Sequence, residues 1–222
     1  MSVSVGGIRV GVTTDVVIFT IRQGRLCVLL VKRSRDPFSE QWGLPGGFVE
    51  SGEGLDQSAK RQLSEKTGVR GVYLEQLFTF GRPDRDPRGR VVSVAYYALV
   101  PASAPGMASR HQDGSVRWFP VEALPDLAFD HGEMVRLAQQ RLSAKLDYST
   151  IALQFMPEKF TLSQLQSVYE TILGEPLDKR NFRKRLQGLC CIEDTGEQYR
   201  AGNHRPAKLF RVTSPGRVDI IK

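Results

Sequence analysis

Glycine, acidic and basic residues recur at fixed spacing between residues 46 and 69. Gly46 and Gly47 are followed by Glu50 and Glu53, and then by the stretch Arg61-Gln62-Leu63-Ser64-Glu65-Lys66-Thr67-Gly68-Val69. Carboxylates in such an array can hold Mg²⁺, which activates water and neutralises the charge that develops on a diphosphate. The residue types and spacing are therefore those of a site for diphosphate chemistry.

This spacing resembles the signature of Nudix hydrolases, but two of its carboxylates are replaced. The residues that match the signature are Gly47, Glu53, Arg61, Leu63, Glu65, Gly68 and Val69. The family's other two helical glutamates are Gln62 and Lys66 here. On a helix, positions 62, 65 and 66 share one face. Three glutamates there would attract Mg²⁺, whereas Gln62, Glu65 and Lys66 carry no net formal charge.

The ammonium group of Lys66 would repel a metal ion yet attract a phosphate oxygen. We therefore expect a site that keeps a diphosphate ligand without hydrolysing it, with no catalytic residue, no bound metal and no cofactor. The alternative is an intact metal site built from Glu50, Glu53 and Glu65, with Lys66 as a solvated surface residue.

A turn-rich segment from Phe80 to Arg90 places four arginines between two predicted strands. Guanidinium groups suit a diphosphate, and a nearby aromatic ring can stack on adenine. Asp84 and Asp86 offer a purely structural alternative, because they can pair with the arginines. The predicted ligand-binding residues are Arg33, Trp42, Glu65, Lys66, Phe80, Arg82, Arg85 and Arg88.

Length and composition suit two small globular domains. The chain has 222 residues, of which 41% are hydrophobic. No apolar run reaches the roughly 18 residues of a membrane span, and no signal-peptide pattern is present, so we expect a cytoplasmic protein that does not bind membranes. Three cysteines, two of them adjacent, favour reduced thiols, and three scattered histidines do not suggest a zinc site.

Residues 1–147 alternate predicted strands with two helices, the Nudix helix and a second ending near Leu146. We expect this part to form an α/β/α sandwich of the Nudix type. The net charge of the whole chain is +7, and residues 151–222 hold 12 basic against 8 acidic residues, a charge of +4. This excess suggests a polyanionic partner for the C-terminal part.

Residues 148–222 show the order of a winged helix-turn-helix domain. Thr161 and Asp178 are suited to begin two helices, and Gly188 to end the second. Two strands are predicted over 189–193 and 208–213, separated by a polar loop over 195–206. Phe182, Leu186 and Leu189 mark the buried side of the second helix. The predicted DNA-binding residues are Lys179, Arg180, Asn181, Arg183, Lys184, Arg200, His204, Arg205 and Lys208.

The alternative for this helix is an ordinary solvated amphipathic surface. However, an altered Nudix motif followed by the segments 160–166 and 177–183 resembles the Nudix-related transcriptional regulators of NAD metabolism, the NrtR family. The resemblance covers essentially the whole chain. It implies a homodimer that binds palindromic double-stranded DNA, regulates NAD biosynthesis or salvage genes, and senses ADP-ribose or a related NAD-derived nucleotide. Competing functions are an active ADP-ribose pyrophosphatase and an RNA-binding Nudix protein.

Overall fold

The structure is a computed structural model that describes residues 2–5, 8–68, 70–104, 114–187, 191–200, 206–214 and 216–221. Within these ranges no helix is long and apolar enough to cross a membrane. Cys27 and Cys191 are both buried and free of disulfides.

The strands are β1 (Ser2–Val5), β2 (Ile8–Arg22), β3 (Arg25–Lys32), β4 (Trp42–Gly43), β5 (Gly46–Phe48), β6 (Tyr73–Phe80), β7 (Val91–Leu99), β8 (Val116–Pro120), β9 (Ile192–Tyr199) and β10 (Ala207–Val212). The helices are α1 (Leu55–Thr67), α2 (His131–Leu146), α3 (Leu162–Leu173) and α4 (Lys179–Gln187).

Strand β2 organises the N-terminal sheet. It pairs in parallel with β7 from Gly11 to Phe19, and antiparallel with β1 at its start, with β5 from Thr13 to Asp15 and with β3 from Phe19 to Arg22. The main strand order is β4-β3-β2-β7-β6, and β8 pairs with β3. A strand of 15 residues can serve several partners because its two edges expose different backbone groups along its length.

The sheet is covered by a helix on each side. Alternate side chains of a strand point to opposite faces, so Val17 and Phe19 pack in the core with α2, whereas Val16 and Ile18 pack in the core with α1. The predicted α/β/α sandwich is therefore confirmed. Helix α1 ends at Gly68, whose φ of 72° places it in the left-handed region that favours glycine.

The C-terminal part is a pair of helices followed by a two-stranded hairpin. The hydroxyl of Thr161 accepts a hydrogen bond from the Gln164 N–H at 3.2 Å, and α3 ends at Gly174 with a φ of 76°. The Asp178 carboxylate accepts from the Asn181 N–H at 2.8 Å, which fixes the start of α4 as expected. The predicted loop over 195–206 is too long, because β9 continues to Tyr199. The predicted helix end at Gly188 lies outside the described residues.

The two parts of the chain share one hydrophobic core. Buried residues of the sheet and α2 are continuous with Phe160 and Leu165 before and in α3, and with Phe182 in α4. A short 3₁₀ turn, Ile151–Phe155, is entirely buried at the joint. The joint also carries backbone bonds from Thr150 N–H to the Asp219 carbonyl, at 3.0 Å, and from Ile221 N–H to the Tyr148 carbonyl, at 2.7 Å. The sequence indicated a joint here but not its burial.

The shared core predicts that damage in the C-terminal part destabilises the sheet. Phe160 is fully buried, and replacing such a phenylalanine with alanine costs about 3–5 kcal/mol of unfolding free energy. Both tryptophans, Trp42 and Trp118, lie in the N-terminal part and report on its unfolding. We expect Phe160→Ala to lower the denaturant concentration at the midpoint of unfolding that tryptophan fluorescence follows.

The matched control is Phe78→Ala, because Phe78 is 56% exposed and should lose much less stability. An unchanged tryptophan midpoint in Phe160→Ala, with loss of C-terminal helix signal alone, would show that the two parts unfold independently.

Candidate diphosphate-binding cleft and nucleic-acid interface

Arg61 gathers the three glutamates of the Nudix motif around one guanidinium group. It donates to both oxygens of Glu53, at 2.8 and 2.9 Å. Its Nη1 lies 3.5 Å from a Glu50 oxygen and 3.7 Å from a Glu65 oxygen. Hydrogen bonding to Arg61 lowers the pKa of Glu53 to about 2. Glu53 is therefore already paired with a cation of the protein, and the same cation lies near Glu50 and Glu65.

The neighbouring positions also fit Mg²⁺ poorly. Gln62 is 5% exposed, and its amide lies so close to Gly47 that a Cβ there would be 2.8 Å from Nε2. A side chain at position 47 would therefore displace the Gln62 amide. Lys66, in contrast, is only half-buried. Across the described residues, no group of three or more His, Cys, Asp or Glu side chains is arranged to hold a metal ion. Residues 62 and 66 offer an amide and an ammonium group where metal binding needs anionic oxygens.

Two guanidinium groups share one aromatic ring beside this motif. The guanidinium carbon of Arg33 lies 4.7 Å from the ring centre of Phe129, and that of Arg88 lies 5.7 Å from it. Burial and the positive charge of Arg88 both lower the pKa of Arg33. Two cations held this close favour an anion between or beside them. Arg33 and Arg88 are therefore the strongest candidates to contact a diphosphate.

These arginines stand between two adjoining cavities. The inner cavity, of about 170 Å³, has a wall that includes Thr13, Asp15 and His131. The outer cavity, of about 280 Å³, includes Lys66 and Arg35 in its wall. Arg33 and Arg88 line both. The arrangement suits a diphosphate with a group attached at each end, and it brings the Nudix helix to the same cleft as the arginine loop.

The floor of the inner cavity carries a buried carboxylate. Asp15 accepts a hydrogen bond from the Ser93 hydroxyl at 2.5 Å through Oδ2. Its Oδ1 lies 3.7 Å from Nε2 of His131. Nδ1 of His131 accepts from the Leu44 N–H at 2.9 Å, and burial lowers the pKa of this histidine. A Cβ at Gly46 would be 2.0 Å from Asp15 Oδ1 and 2.7 Å from the Thr14 carbonyl oxygen, so glycine is required there.

The remaining loop arginines are placed differently from the sequence prediction. Arg85 reaches the cleft wall, but its guanidinium is buried and donates to both oxygens of Asp130 at 2.9 and 2.7 Å. Arg82 is exposed, pairs with Glu133 at 3.4 Å, and is not part of the cavity wall. Asp86 pairs with Arg88, as the structural alternative for this loop anticipated.

The two predicted stacking residues do not face the cleft. Trp42 packs edge-on against Phe119, with ring centres 4.9 Å apart, and Phe80 is 7% exposed in the core. Glu65 pairs with Arg61 on the exposed side of α1 rather than in the arginine cleft. The ring that the arginines use is Phe129, which sequence reasoning missed. Asp15 was also missed, although a single acidic residue within a hydrophobic strand is a signal for a buried polar site.

Helix α4 presents a row of exposed basic and amide side chains. Phe182 and Leu186 are buried, as predicted, whereas Leu189 lies outside the described residues. Of the predicted hairpin contacts, Arg200 is exposed, Lys208 pairs with Asp194 at 2.7 Å, and His204 and Arg205 also lie outside the described residues. The exposed predicted residues of α4 are Lys179, Arg180, Asn181, Arg183 and Lys184.

One cation of α4 is used inside the molecule. Nη2 of Arg185 donates to the carbonyls of Leu146 and Asp147, each at 2.6 Å. These carbonyls belong to the C-terminal end of α2, where a positive charge is favourable. Arg185 therefore ties the basic helix to the helix that covers the sheet.

Comparisons with known proteins match both parts of the chain. Residues 11–138 match the NUDIX domain, and residues 152–212 match the NrtR DNA-binding winged helix domain. An ADPR responsive transcriptional repressor, NtrR, from Acinetobacter baylyi is 43% identical over 203 residues, which are 90% of this chain and 80% of the relative.

Solved structures agree with these matches. NrtR from Shewanella oneidensis, complexed with a 27mer DNA, is 41% identical over 91% of this chain and 93% of its own, with a TM-score of 0.83. The NUDIX domain of the same protein, complexed with ADP ribose, is 42% identical over 59% of this chain and 87% of its own, with a TM-score of 0.50. This chain belongs to the NrtR family, in which a Nudix domain precedes a DNA-binding winged helix domain.

Proposed function

We propose that this chain is a transcriptional repressor that binds double-stranded DNA through α4 and is controlled by ADP-ribose. The observation that carries the proposal is the combination of two surfaces in one rigidly joined chain. One is the exposed basic face of α4, with Asn181 and Arg183 among its side chains. The other is the cleft in which Arg33 and Arg88 both lie against the ring of Phe129.

The basic face has the chemistry that duplex DNA requires. Lysine and arginine contact phosphates, while arginine and asparagine can pair with guanine and adenine edges in the major groove. The relatives from Acinetobacter baylyi and Shewanella oneidensis support this assignment, because the first is a repressor and the second was crystallised with DNA. Genes of NAD biosynthesis or salvage are the proposed targets, since ADP-ribose is derived from NAD.

The working unit that we propose is a homodimer on a palindromic operator. The proposed domains are an effector-binding domain over 1–147 and a DNA-binding domain over 148–222. Two copies of α4 related by a twofold axis would enter successive major grooves, about 34 Å apart. ADP-ribose in the cleft would change the spacing of the two helices, because the shared core and Arg185 connect the cleft's domain to α4.

The Nudix domain serves as a sensor in this proposal. Gln62 and Lys66 occupy two positions where the resemblance implies metal-binding carboxylates, and Arg61 contacts the remaining glutamates. The competing function is an ADP-ribose pyrophosphatase, whose reaction needs metal-activated water. The described side chains favour binding over hydrolysis.

Hydrolysis provides the first test. We expect the purified chain to release no AMP from ADP-ribose with Mg²⁺ at the rate of about 1 s⁻¹ or more that is common among enzymes. The double variant Gln62→Glu with Lys66→Glu restores two carboxylates, and it should bind Mg²⁺ more tightly and gain activity relative to the parent. Steady turnover by the parent chain would contradict the sensor assignment.

DNA binding should depend on the exposed face of α4. We expect Arg183→Ala to weaken operator binding and reduce base preference, since arginine reads guanine. Lys184→Ala should weaken binding to all DNA sequences alike and reduce the slope of log affinity against log salt by about one.

The matched control is Lys60→Ala, which removes an exposed cation from α1. Fluorescence anisotropy over a salt series measures all three variants, and parent-like binding by both α4 variants would show that another surface holds DNA.

ADP-ribose and DNA should weaken each other's binding by the same factor, because coupling between two sites is reciprocal. A typical coupling of about 1–3 kcal/mol corresponds to a roughly 5- to 150-fold change in affinity. Calorimetric titration of ADP-ribose into free protein and into the operator complex measures it. Arg88→Ala should lose ADP-ribose affinity, whereas Arg82→Ala, outside the cavity wall, should resemble the parent. Equal ADP-ribose affinities for the free protein and for the operator complex would exclude ADP-ribose as the controlling ligand.

A further inference from the structure

The floor of the inner cavity contains an unpaired polar atom. Thr13 Oγ1 is the buried side-chain oxygen or nitrogen that lacks a hydrogen-bond partner within the described ranges of the chain. Leaving such an atom unpaired is destabilising, so a native structure retains it where another molecule completes the bonding. Thr13 lies in the wall of the inner cavity.

Asp15 presents a second open position on the same side. Thr13 and Asp15 are two residues apart on β2, so their side chains point to the same face of the sheet. Asp15 Oδ2 is occupied by the Ser93 hydroxyl, but Oδ1 is 3.7 Å from His131 Nε2, which is beyond hydrogen-bonding distance. One hydroxyl and one carboxylate oxygen therefore line the cavity with bonding capacity to spare.

The chemistry and size of the cavity select the kind of group that completes it. A carboxylate oxygen accepts hydrogen bonds, and a threonine hydroxyl both donates and accepts. Adjacent hydroxyl groups of a sugar offer the complementary set, whereas a phosphate would be repelled by Asp15. About 170 Å³ is room for a small polar group such as one sugar ring.

We propose that Thr13 and Asp15 form a subsite for the vicinal hydroxyls of a ribose at one end of a diphosphate ligand. This inference rests on the proposed function and deepens it. Arg33 and Arg88 line both cavities, so a diphosphate beside them leads directly into the inner one. In ADP-ribose the ribose that carries no base fills this subsite, and the adenosine end lies in the outer cavity.

His131 lies beside Asp15 as a neutral ring. Its Nδ1 accepts the Leu44 N–H, so the proton of the neutral ring is on Nε2, which faces Asp15 Oδ1. Burial favours this neutral form. Asp15 Oδ1 therefore faces an uncharged N–H that is too distant to occupy it, which leaves this oxygen able to accept from a sugar hydroxyl.

The test compares ligands that differ only in the second sugar. Calorimetry would measure ADP-ribose and ADP binding to the parent, Thr13→Val and Asp15→Asn. We expect the parent to bind ADP-ribose more tightly than ADP. Thr13→Val should weaken ADP-ribose binding about 2- to 10-fold and Asp15→Asn about 10-fold or more, because bonds to a charged group are the stronger. Thr13→Val should bind ADP within about twofold of the parent, a tolerance smaller than one neutral hydrogen bond. Asp15→Asn should bind ADP at least as tightly as the parent, because it removes a negative charge that repels phosphate.

Thermal unfolding separates a binding role from a structural one. Replacing an unpaired buried hydroxyl with a methyl group of the same shape is neutral or stabilising, so Thr13→Val without ligand should melt at or above the parent temperature while binding ADP-ribose more weakly. Unchanged ADP-ribose affinity in Thr13→Val would show that an ordered water alone completes Thr13. An equal loss of affinity for ADP and for ADP-ribose would show that these residues shape the cleft and do not bind the sugar hydroxyls.

A second ligand pair distinguishes failure of this subsite from failure of the proposed effector. Ribose 5-phosphate carries the hydroxyls and one phosphate, and inorganic phosphate carries only the anion. If the parent ignores ADP-ribose but binds ribose 5-phosphate in a manner that requires Thr13 and Asp15, the subsite stands and the proposed effector is wrong. If the parent binds ribose 5-phosphate no better than phosphate, and ADP-ribose no better than ADP, the subsite is excluded.

Discussion

The hydrophobic core that passes from the sheet through α2 into α3 and α4 is the constraint on which the rest of the structure depends. Leu142 and Leu146 of α2 are fully buried or nearly so, as is Leu165 of α3. These side chains fill the space between two parts that a sequence reading divides into separate domains. Because interiors are close-packed, a displacement of one part requires the other to repack. A cleft on one side of this core and a basic helix on the other are therefore mechanically related.

The cleft itself is built from charges that are mostly committed to partners. Arg61 holds the glutamates of the motif, Arg85 is buried against Asp130, and Arg88 is held by Asp86. Buried or half-buried guanidinium groups are kept in one orientation by such pairs, so less conformational entropy is lost when a ligand binds. Arg33 instead donates to the Pro37 carbonyl at 2.9 Å. The same pairing explains why counting arginines in the loop overstates how many can meet an anion.

Local rules predicted much of the fold. Thr161 and Asp178 begin helices through hydrogen bonds of their own side chains, and the spacing of Phe182 and Leu186 is enough to identify the buried side of α4. The contacts that the sequence did not reveal are long-range. Phe129 reaches Arg33 across almost a hundred positions, and the role of Asp15 depends on Ser93 and His131 from other elements. Similarly, nothing in the run of basic residues in α4 separates Arg185, which binds α2, from its exposed neighbours.

Helix α2 is held at both ends by arginines from other parts of the chain. Asp130, directly before it, is paired with Arg85 of the cleft, and its last carbonyls receive Arg185 of α4. With 16 residues at ~1.5 Å each, the helix is a lever about 24 Å long. A pivot of about 5° at the cleft end would displace the far end by roughly 2 Å on this length. In a twofold dimer both levers would move together, so the separation of the two α4 helices would change by up to twice that distance.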